Sequence, residues 1–310
     1  MDSLLVAVNV VLPLVILIGI GYLTQSFHLI PQTAYAHMNK LVFAVLLPCM
    51  LFSNIYGSAI EDIVNAKLLA FGVLSIVAVF LCGIPVAMRL TGDGRKRGVA
   101  LQGIFRSNFV LYGFPVVQSL YGDRAGATAL LIAAIVPVFN ILAVVALEMF
   151  RGGKVQLKSI LTNICKNPLI VSTAVAIAFS ALGVRLPRVI ESSLGSLTGA
   201  ATPIALIILG GTFQKRSLGD NMRLLSAVAA LKLLISPAIF LGLAVAMGFR
   251  GVELLTLVSL FGAPAAVSSF SMAQQMGGDS DLAAQNILIT TVASIFTIFM
   301  WVSLFSHLKL

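Results

Sequence analysis

Residues 104–122 read IFRSNFVLYGFPVVQSLYG. The stretch lies within an apolar run long enough to cross a membrane, yet it contains a guanidinium at Arg106 and a primary amide at Asn108. Gly113 and Pro115 interrupt the same run, and proline leaves the carbonyl four residues earlier without its helical donor. Such groups are tolerated at bilayer depth only where they are buried in protein or line a cavity. We therefore predict that this segment forms one half of a substrate site.

The composition is that of an integral membrane protein. Of 310 residues, 59% are hydrophobic and 10% are charged, and the mean hydropathy is +1.05; soluble domains have about 25% charged residues. The net charge of +9 does not indicate a nucleic-acid partner, because the basic residues are scattered between apolar runs. Cys49, Cys82 and Cys165 lie in apolar segments without the spacing of metal ligands, so we expect neither a metal nor another cofactor.

Ten apolar segments reach about 20 residues, the length with which a helix spans the hydrocarbon core. They cover residues 4–25, 35–56, 67–90, 98–121, 124–150, 164–182, 189–213, 222–247, 252–276 and 282–306. No basic residue precedes the first segment, so we predict a retained helix rather than a signal peptide. The connections are short, and no soluble domain is expected.

The basic residues predict the orientation of these segments. The connections on one side of the membrane are rich in lysine and arginine, for example Arg89, Arg95, Lys96, Arg97 and Arg151. The opposite side has fewer basic residues, roughly matched by acids. Because the richer side faces the cytoplasm, we predict a multi-pass protein of the plasma (inner) membrane with both termini on the non-cytoplasmic side.

The two halves of the chain repeat one pattern. Pro48 interrupts the second segment and Pro203 the seventh, and a further pair of prolines in segments one and six has the same separation. Each half has five segments, an odd number, so the halves enter the membrane from opposite sides. Inverted repeats of this kind have their substrate site near the midplane, between interrupted helices. We predict a first repeat at residues 1–152 and a second at 153–310.

The ninth segment repeats the interruption of the fourth. Ala263 and Pro264 lie in its middle and are followed by a polar run. Two ordinary proline kinks packed against neighbours are the alternative interpretation. The polar residues that we expect to support a substrate or an ion are Asn54, Asn140, Ser268, Ser269 and Gln274.

Two cations, Arg106 and Lys232, lie inside predicted spans, and no acidic residue lies in the middle of any span. An intramembrane cation needs a partner, and an anionic substrate would supply one. Lys232 either contacts this anion or bonds the carbonyls of a broken helix. Arg106 is expected to extend to the cytoplasmic surface, so Asn108 and Lys232 are the preferred contacts.

Residues 108–115 (NFVLYGFP), followed by Tyr-Gly-Asp at 121–123, resemble the fourth helix of the auxin efflux carriers. Residues 39–48 and 263–264 resemble the second and ninth helices of that family. The chain lacks the long loop of many plant members and is similar to the compact prokaryotic branch, which includes proposed malonate carriers. Ser107 stands where plant members tend to have a proline, so helix four is expected to be less sharply broken.

The resemblance implies an all-α membrane protein of ten helices in two inverted repeats, with helices four and nine broken and crossing. Sodium–bile acid symporters and sodium/proton antiporters share this fold. It also implies a scaffold domain (helices one, two, six and seven), a transport domain (three to five and eight to ten), elevator-type movement and a homodimer. Asn108 and Pro264 would flank the crossing, and Leu47, Pro48 and Ser53 would face it from the scaffold.

The sequence thus predicts a secondary active transporter of a small organic anion, such as an auxin-like acid or malonate. Motifs of soluble enzymes are absent, so an enzyme is not expected. A sodium-coupled symporter of the bile-acid type and a receptor that does not translocate are the alternatives. The residues expected to bind the substrate are Leu47, Pro48, Ser53, Ser107, Asn108, Gly113, Pro115, Lys232, Ala263 and Pro264.

Overall fold

The computed structural model describes residues 2–56, 66–121, 126–151, 162, 165–213 and 218–308. Within these residues every regular element is a helix, and a single isolated bridge is the one pairing of the β type. Gly122 and Asp123 of the sequence motif and the predicted repeat boundary at 152/153 lie outside the described residues.

The helices are numbered here along the described chain. They are α1 (Asp2–Ser26), α2 (Gln32–Leu41), α3 (Leu47–Tyr56), α4 (Ala66–Leu90), α5 (Gly94–Phe105), α6 (Phe109–Tyr121), α7 (Gly126–Phe150), α8 (Pro168–Ala181), α9 (Arg188–Thr212), α10 (Leu218–Ala230), α11 (Ser236–Ala246), α12 (Gly251–Gly262), α13 (Ser268–Met276) and α14 (Ser280–His307). Two π-helical turns, Val42–Leu46 and Leu231–Ile235, join α2 to α3 and α10 to α11.

Six of the described helical stretches are long and apolar enough to cross a membrane. They are Gln32–Tyr56, Ala66–Leu90, Leu131–Phe150, Arg188–Thr212, Gly219–Ala246 and Ser280–His307. Shorter apolar helices include Val11–Ser26, Phe109–Gln118, Pro168–Ala181 and Gly251–Gly262. The chain is therefore a membrane protein that is helical throughout the regular elements of its described residues, while ten crossings stay a prediction.

The predicted fourth and ninth segments are each divided into two helices. The chain leaves helical geometry between Phe105 and Phe109 and again between Gly262 and Ser268. The first break lies earlier than the sequence predicts, because α6 runs through Pro115 without interruption. Arg106 has an extended conformation, with φ −85° and ψ 114°, while a break less sharp than that of plant members stays a prediction.

The two breaks lie against each other and satisfy each other's backbone groups. Ser107 forms an antiparallel bridge with Ala265, and the Asn108 N–H donates to the Pro264 carbonyl at 2.8 Å. The Ser107 hydroxyl donates to the Leu260 carbonyl at 2.5 Å. Backbone groups freed inside a membrane need such partners, so each break is stabilised by the other.

Helix α1 packs against α9 through glycines. A Cβ added at Gly210 would overlap the backbone carbonyl of Ile18, and one at Gly21 would overlap that of Ile207. Small residues at membrane helix interfaces allow this close approach of two backbones. The α1–α9 contact therefore depends on the absence of side chains at these two positions.

Gly210→Ala is expected to lower the free energy of unfolding by about 1–3 kcal/mol, because the new methyl group forces α1 and α9 apart. Thermal or denaturant unfolding of the purified protein in detergent measures the effect. Gly195→Ala in the same helix is the matched control, since a Cβ there meets nothing within 4 Å. Equal stabilities of the two variants would contradict the close contact.

Candidate functional site

A cavity of about 60 Å³ lies where the two helix breaks meet. Its wall is formed by both breaks together with residues of α3, α6, α7, α9 and α13. One enclosed water needs about 10–15 Å³ of such space, so the cavity has room for about four to six waters or for one small solute. The polar side chains in its wall belong to Asn54, Arg106, Ser107, Asn108, Asn140, Thr202 and Ser268.

Arg106 lies in the first break and is 4% exposed. Its Nη2 donates to Asn140 Oδ1 at 2.7 Å and to Ser268 Oγ at 2.8 Å, and its Nη1 is 2.5 Å from Met272 Sδ. All three partners are neutral, and no acidic side chain pairs with Arg106 in the part of the chain that the structure describes. A buried charge without a counter-charge is costly, so this guanidinium is suited to an anionic ligand.

The expectation that Arg106 reaches the cytoplasmic surface is wrong. The extended backbone at Arg106 ends α5 and directs the side chain towards α7 and α13, where Asn140 and Ser268 hold it. A helical backbone would have allowed the side chain to follow the helix surface towards the membrane interface. The break itself therefore brings the charge into the protein interior.

The cavity wall also contains amide groups with unused hydrogen-bond donors. Asn54 Nδ2 and Asn140 Nδ2 are buried and have no partner among the described residues. The oxygen of Asn140 faces the Arg106 donor, and this contact assigns the orientation of the amide. Unsatisfied buried donors favour a ligand that is rich in acceptors.

Asn108 follows directly after the break and is 8% exposed. Its backbone N–H donates to Pro264, and its carbonyl accepts from the Tyr112 N–H at 3.1 Å. No hydrogen bond of its side chain is found within the described ranges, and the residue lines the cavity. Its amide is therefore free to contact a ligand.

Lys232 lies behind the crossing rather than in the cavity wall. It is 2% exposed and belongs to the π-helical turn Leu231–Ile235. Its Nζ donates to Ser107 Oγ and lies 3.4 Å from the Phe261 carbonyl oxygen. Of the two sequence interpretations, this geometry matches the bonding of broken helices, because one ammonium links the first break to the end of α12.

The remaining predicted residues divide into two groups. Those that line the cavity are Leu47, Asn54, Ser107, Asn108, Asn140 and Ser268. Those that do not line it are Pro48, Ser53, Pro115, Lys232, Ala263, Pro264, Ser269 and Gln274. Gly113 lies within α6, after the break.

Asn39 is a buried polar residue whose contacts the sequence does not reveal. It is fully buried, and its Nδ2 donates to Gln274 Oε1 at 2.6 Å while its Oδ1 accepts from Ser271 Oγ at 2.6 Å. The residue thereby joins α2 to α13, and Gln274 is engaged there rather than at the cavity. An amide next to a long apolar run was the signal that could have indicated this contact.

Comparisons with known proteins extend over nearly the whole chain. A family model described as membrane transport protein matches residues 6–302. An uncharacterized transporter of Methanocaldococcus jannaschii is 25% identical over 309 residues, which covers 96% of this chain and 98% of that protein. An uncharacterized transporter of Methanothermobacter thermautotrophicus is 25% identical over 297 residues, covering 94% and 96%. A proposed malonate transporter of Rhizobium meliloti is 25% identical over 300 residues, covering 94% and 93%.

Proposed function

The chain belongs to the membrane transport protein family, and its motifs resemble those of the auxin efflux carriers. We propose that it is a secondary active transporter of a small organic anion. The proposal rests on the environment of Arg106. This buried cation lines the cavity, and within the described residues all of its hydrogen-bond partners are neutral. A carboxylate in the cavity would give this guanidinium the counter-charge that a buried cation requires.

The proposed substrate is a compact carboxylic acid. Arg106 has five N–H donors, and its bonds to Asn140, Ser268 and Met272 use three of them, so one at Nη1 and the one at Nε are left for carboxylate oxygens. The unused donors of Asn54 and Asn140 would supply further bonds to such an anion. The small volume of the cavity supports a malonate-sized acid over a larger aromatic one. The similarity to a proposed malonate transporter supports the same class.

We further propose that transport is of the elevator type, in a homodimer with ten crossings, two inverted repeats and both termini outside the cytoplasm. Part of the helix packing supports a division into scaffold and transport domains, because α1 packs on α9 and α3 on α8, while α4 packs on α5 and α7. Helix α1 also packs on α14, across the proposed boundary. The cavity is lined by both proposed domains, with Asn54 on the scaffold side and Arg106 and Asn108 on the other. A substrate held between two domains that slide past each other is exposed to each side in turn.

Counterflow in proteoliposomes tests the proposal. Vesicles loaded with unlabelled malonate are expected to accumulate labelled malonate transiently, and other small carboxylates should compete. The absence of counterflow for every carboxylate would contradict a carrier and favour the receptor. Replacing sodium with choline in the same assay separates the two transport mechanisms, because only a sodium-coupled symporter loses uptake.

A further inference from the structure

A second, larger pocket lies at the end of the molecule where basic residues are concentrated. It has a volume of about 330 Å³ and is formed where α4 ends and where α5 and α10 begin. None of its lining residues lines the cavity at the crossing. Its charged side chains are Arg89, Lys96, Asp220 and Arg223. Three cations from three helices thus meet one carboxylate in a concave site.

Lys96 is held in place at this pocket by a chain of buried amides. Its Nζ donates to Asn221 Oδ1 at 2.8 Å, and Asn221 Nδ2 donates to Gln285 Oε1 on α14 at 3.0 Å. Asn221 is only 4% exposed. Ordering a lysine side chain opposes its large conformational entropy, and an ammonium that donates one bond keeps two further N–H donors for a ligand. The site is therefore partly organised in advance.

Arg89 and Arg223 provide unused donors on the same pocket. Both are exposed, and neither has a hydrogen-bond or ion-pair partner among the residues with a described structure. Asp220 forms no ion pair with any of the three cations, and one carboxylate against three cations leaves the pocket with a net positive charge. Arginine forks and a lysine ammonium are the groups that bind phosphate oxygens, which offer several acceptors around one anion.

Two basic residues of this pocket have exposed apolar neighbours in the chain. Met88 and Met222, the chain neighbours of Arg89 and Arg223, are 50% and 43% exposed. Basic pockets between membrane helices on the cytoplasmic side bind the head groups of anionic lipids. We propose that the pocket of Arg89, Lys96 and Arg223 binds a phosphate group, with the head group of an anionic membrane lipid as its source. This site is independent of the transported substrate.

Lipid titrations of the purified full-length protein in neutral detergent test the proposal. Phosphatidylglycerol is expected to bind and to raise the melting temperature, whereas phosphatidylcholine does neither. The variant R89Q/R223Q should bind phosphatidylglycerol about thirtyfold more weakly, since each basic residue near an anionic head group contributes roughly fivefold in affinity. Lys96→Gln is a second variant, expected to lose about fivefold.

The matched control is R185Q/R188Q, which removes the same charge from exposed residues that do not line the pocket. It should bind phosphatidylglycerol like the wild type. Equal losses in the control and pocket variants would overturn the proposal, as would a wild type that binds neither lipid nor phosphate. Stabilisation by inorganic phosphate but not by phosphatidylglycerol would keep the phosphate site and replace the lipid with a soluble phosphate compound.

Discussion

Arg106→Gln is expected to abolish the counterflow of small carboxylates, with a loss of about a hundredfold or more. Removing one member of a buried, hydrogen-bonded charge pair costs about 2–5 kcal/mol, and in the proposed complex the other member is the substrate. The fold should tolerate the change, because an uncompensated buried charge is removed and glutamine still donates from an amide. Arg106→Lys should retain part of the activity, since it keeps the charge but loses the planar fork.

The matched control for this variant is Arg185→Gln, which neutralises an exposed arginine that does not line the cavity. Counterflow, the melting temperature and the elution volume are measured for all three variants. A well-folded Arg106→Gln protein with wild-type counterflow would refute the anion contact. If the melting temperature falls together with the activity, Arg106 stabilises the fold rather than binding the anion.

Asn108→Ala is expected to reduce counterflow by about 10- to 100-fold, the value of one hydrogen bond to a charged group. The melting temperature should stay close to that of the wild type, because the Asn108 side chain has no hydrogen bond in the described structure. Its backbone bonds to Pro264 and Tyr112 do not depend on the side chain. The measurement is counterflow together with thermal unfolding.

Gln118→Ala is the control for Asn108→Ala. Gln118 has an amide side chain on the same helix, α6, but it is exposed and does not line the cavity. Its substitution should leave counterflow unchanged. If Asn108→Ala transports at the wild-type rate, the Asn108 amide does not contact the anion, and the remaining candidate contacts are Arg106, Asn54 and Asn140.

The sequence predicts the break of segment nine at its observed position, around residues 263–264, but it misplaces the break of segment four. Pro115 removes one backbone hydrogen bond from its helix, and the local sequence does not distinguish a proline that the helix tolerates from one that breaks it. The break at Ser107 depends on Ala265 and Leu260, more than 150 residues away along the chain. Such a partner offers no local signal, so the position of the break becomes visible only in the folded protein.

Counting residues along a helix likewise predicts depth but not direction. Lys232 is buried, as the sequence predicts, and so is Arg106, which was expected to reach the cytoplasmic surface. Arg106 lines the cavity, whereas Lys232 lies behind it. The extended backbone at Arg106 and the π-helical turn at Lys232 both change the direction in which a side chain points. A helical wheel assumes uniform geometry, so it cannot assign their roles.

The buried amide of Asn39 affects the relative populations of the two access states of the proposed carrier. Its hydrogen bonds to Gln274 and Ser271 join α2 of the proposed scaffold to α13 of the proposed transport domain, and sliding of the domains breaks both together. At about 1 kcal/mol each, they favour the described state by roughly thirtyfold. Bound substrate has to favour the opposite state by a similar factor before the populations become equal. In the proposed mechanism, Asn39 would thus stabilise the described state of the empty carrier.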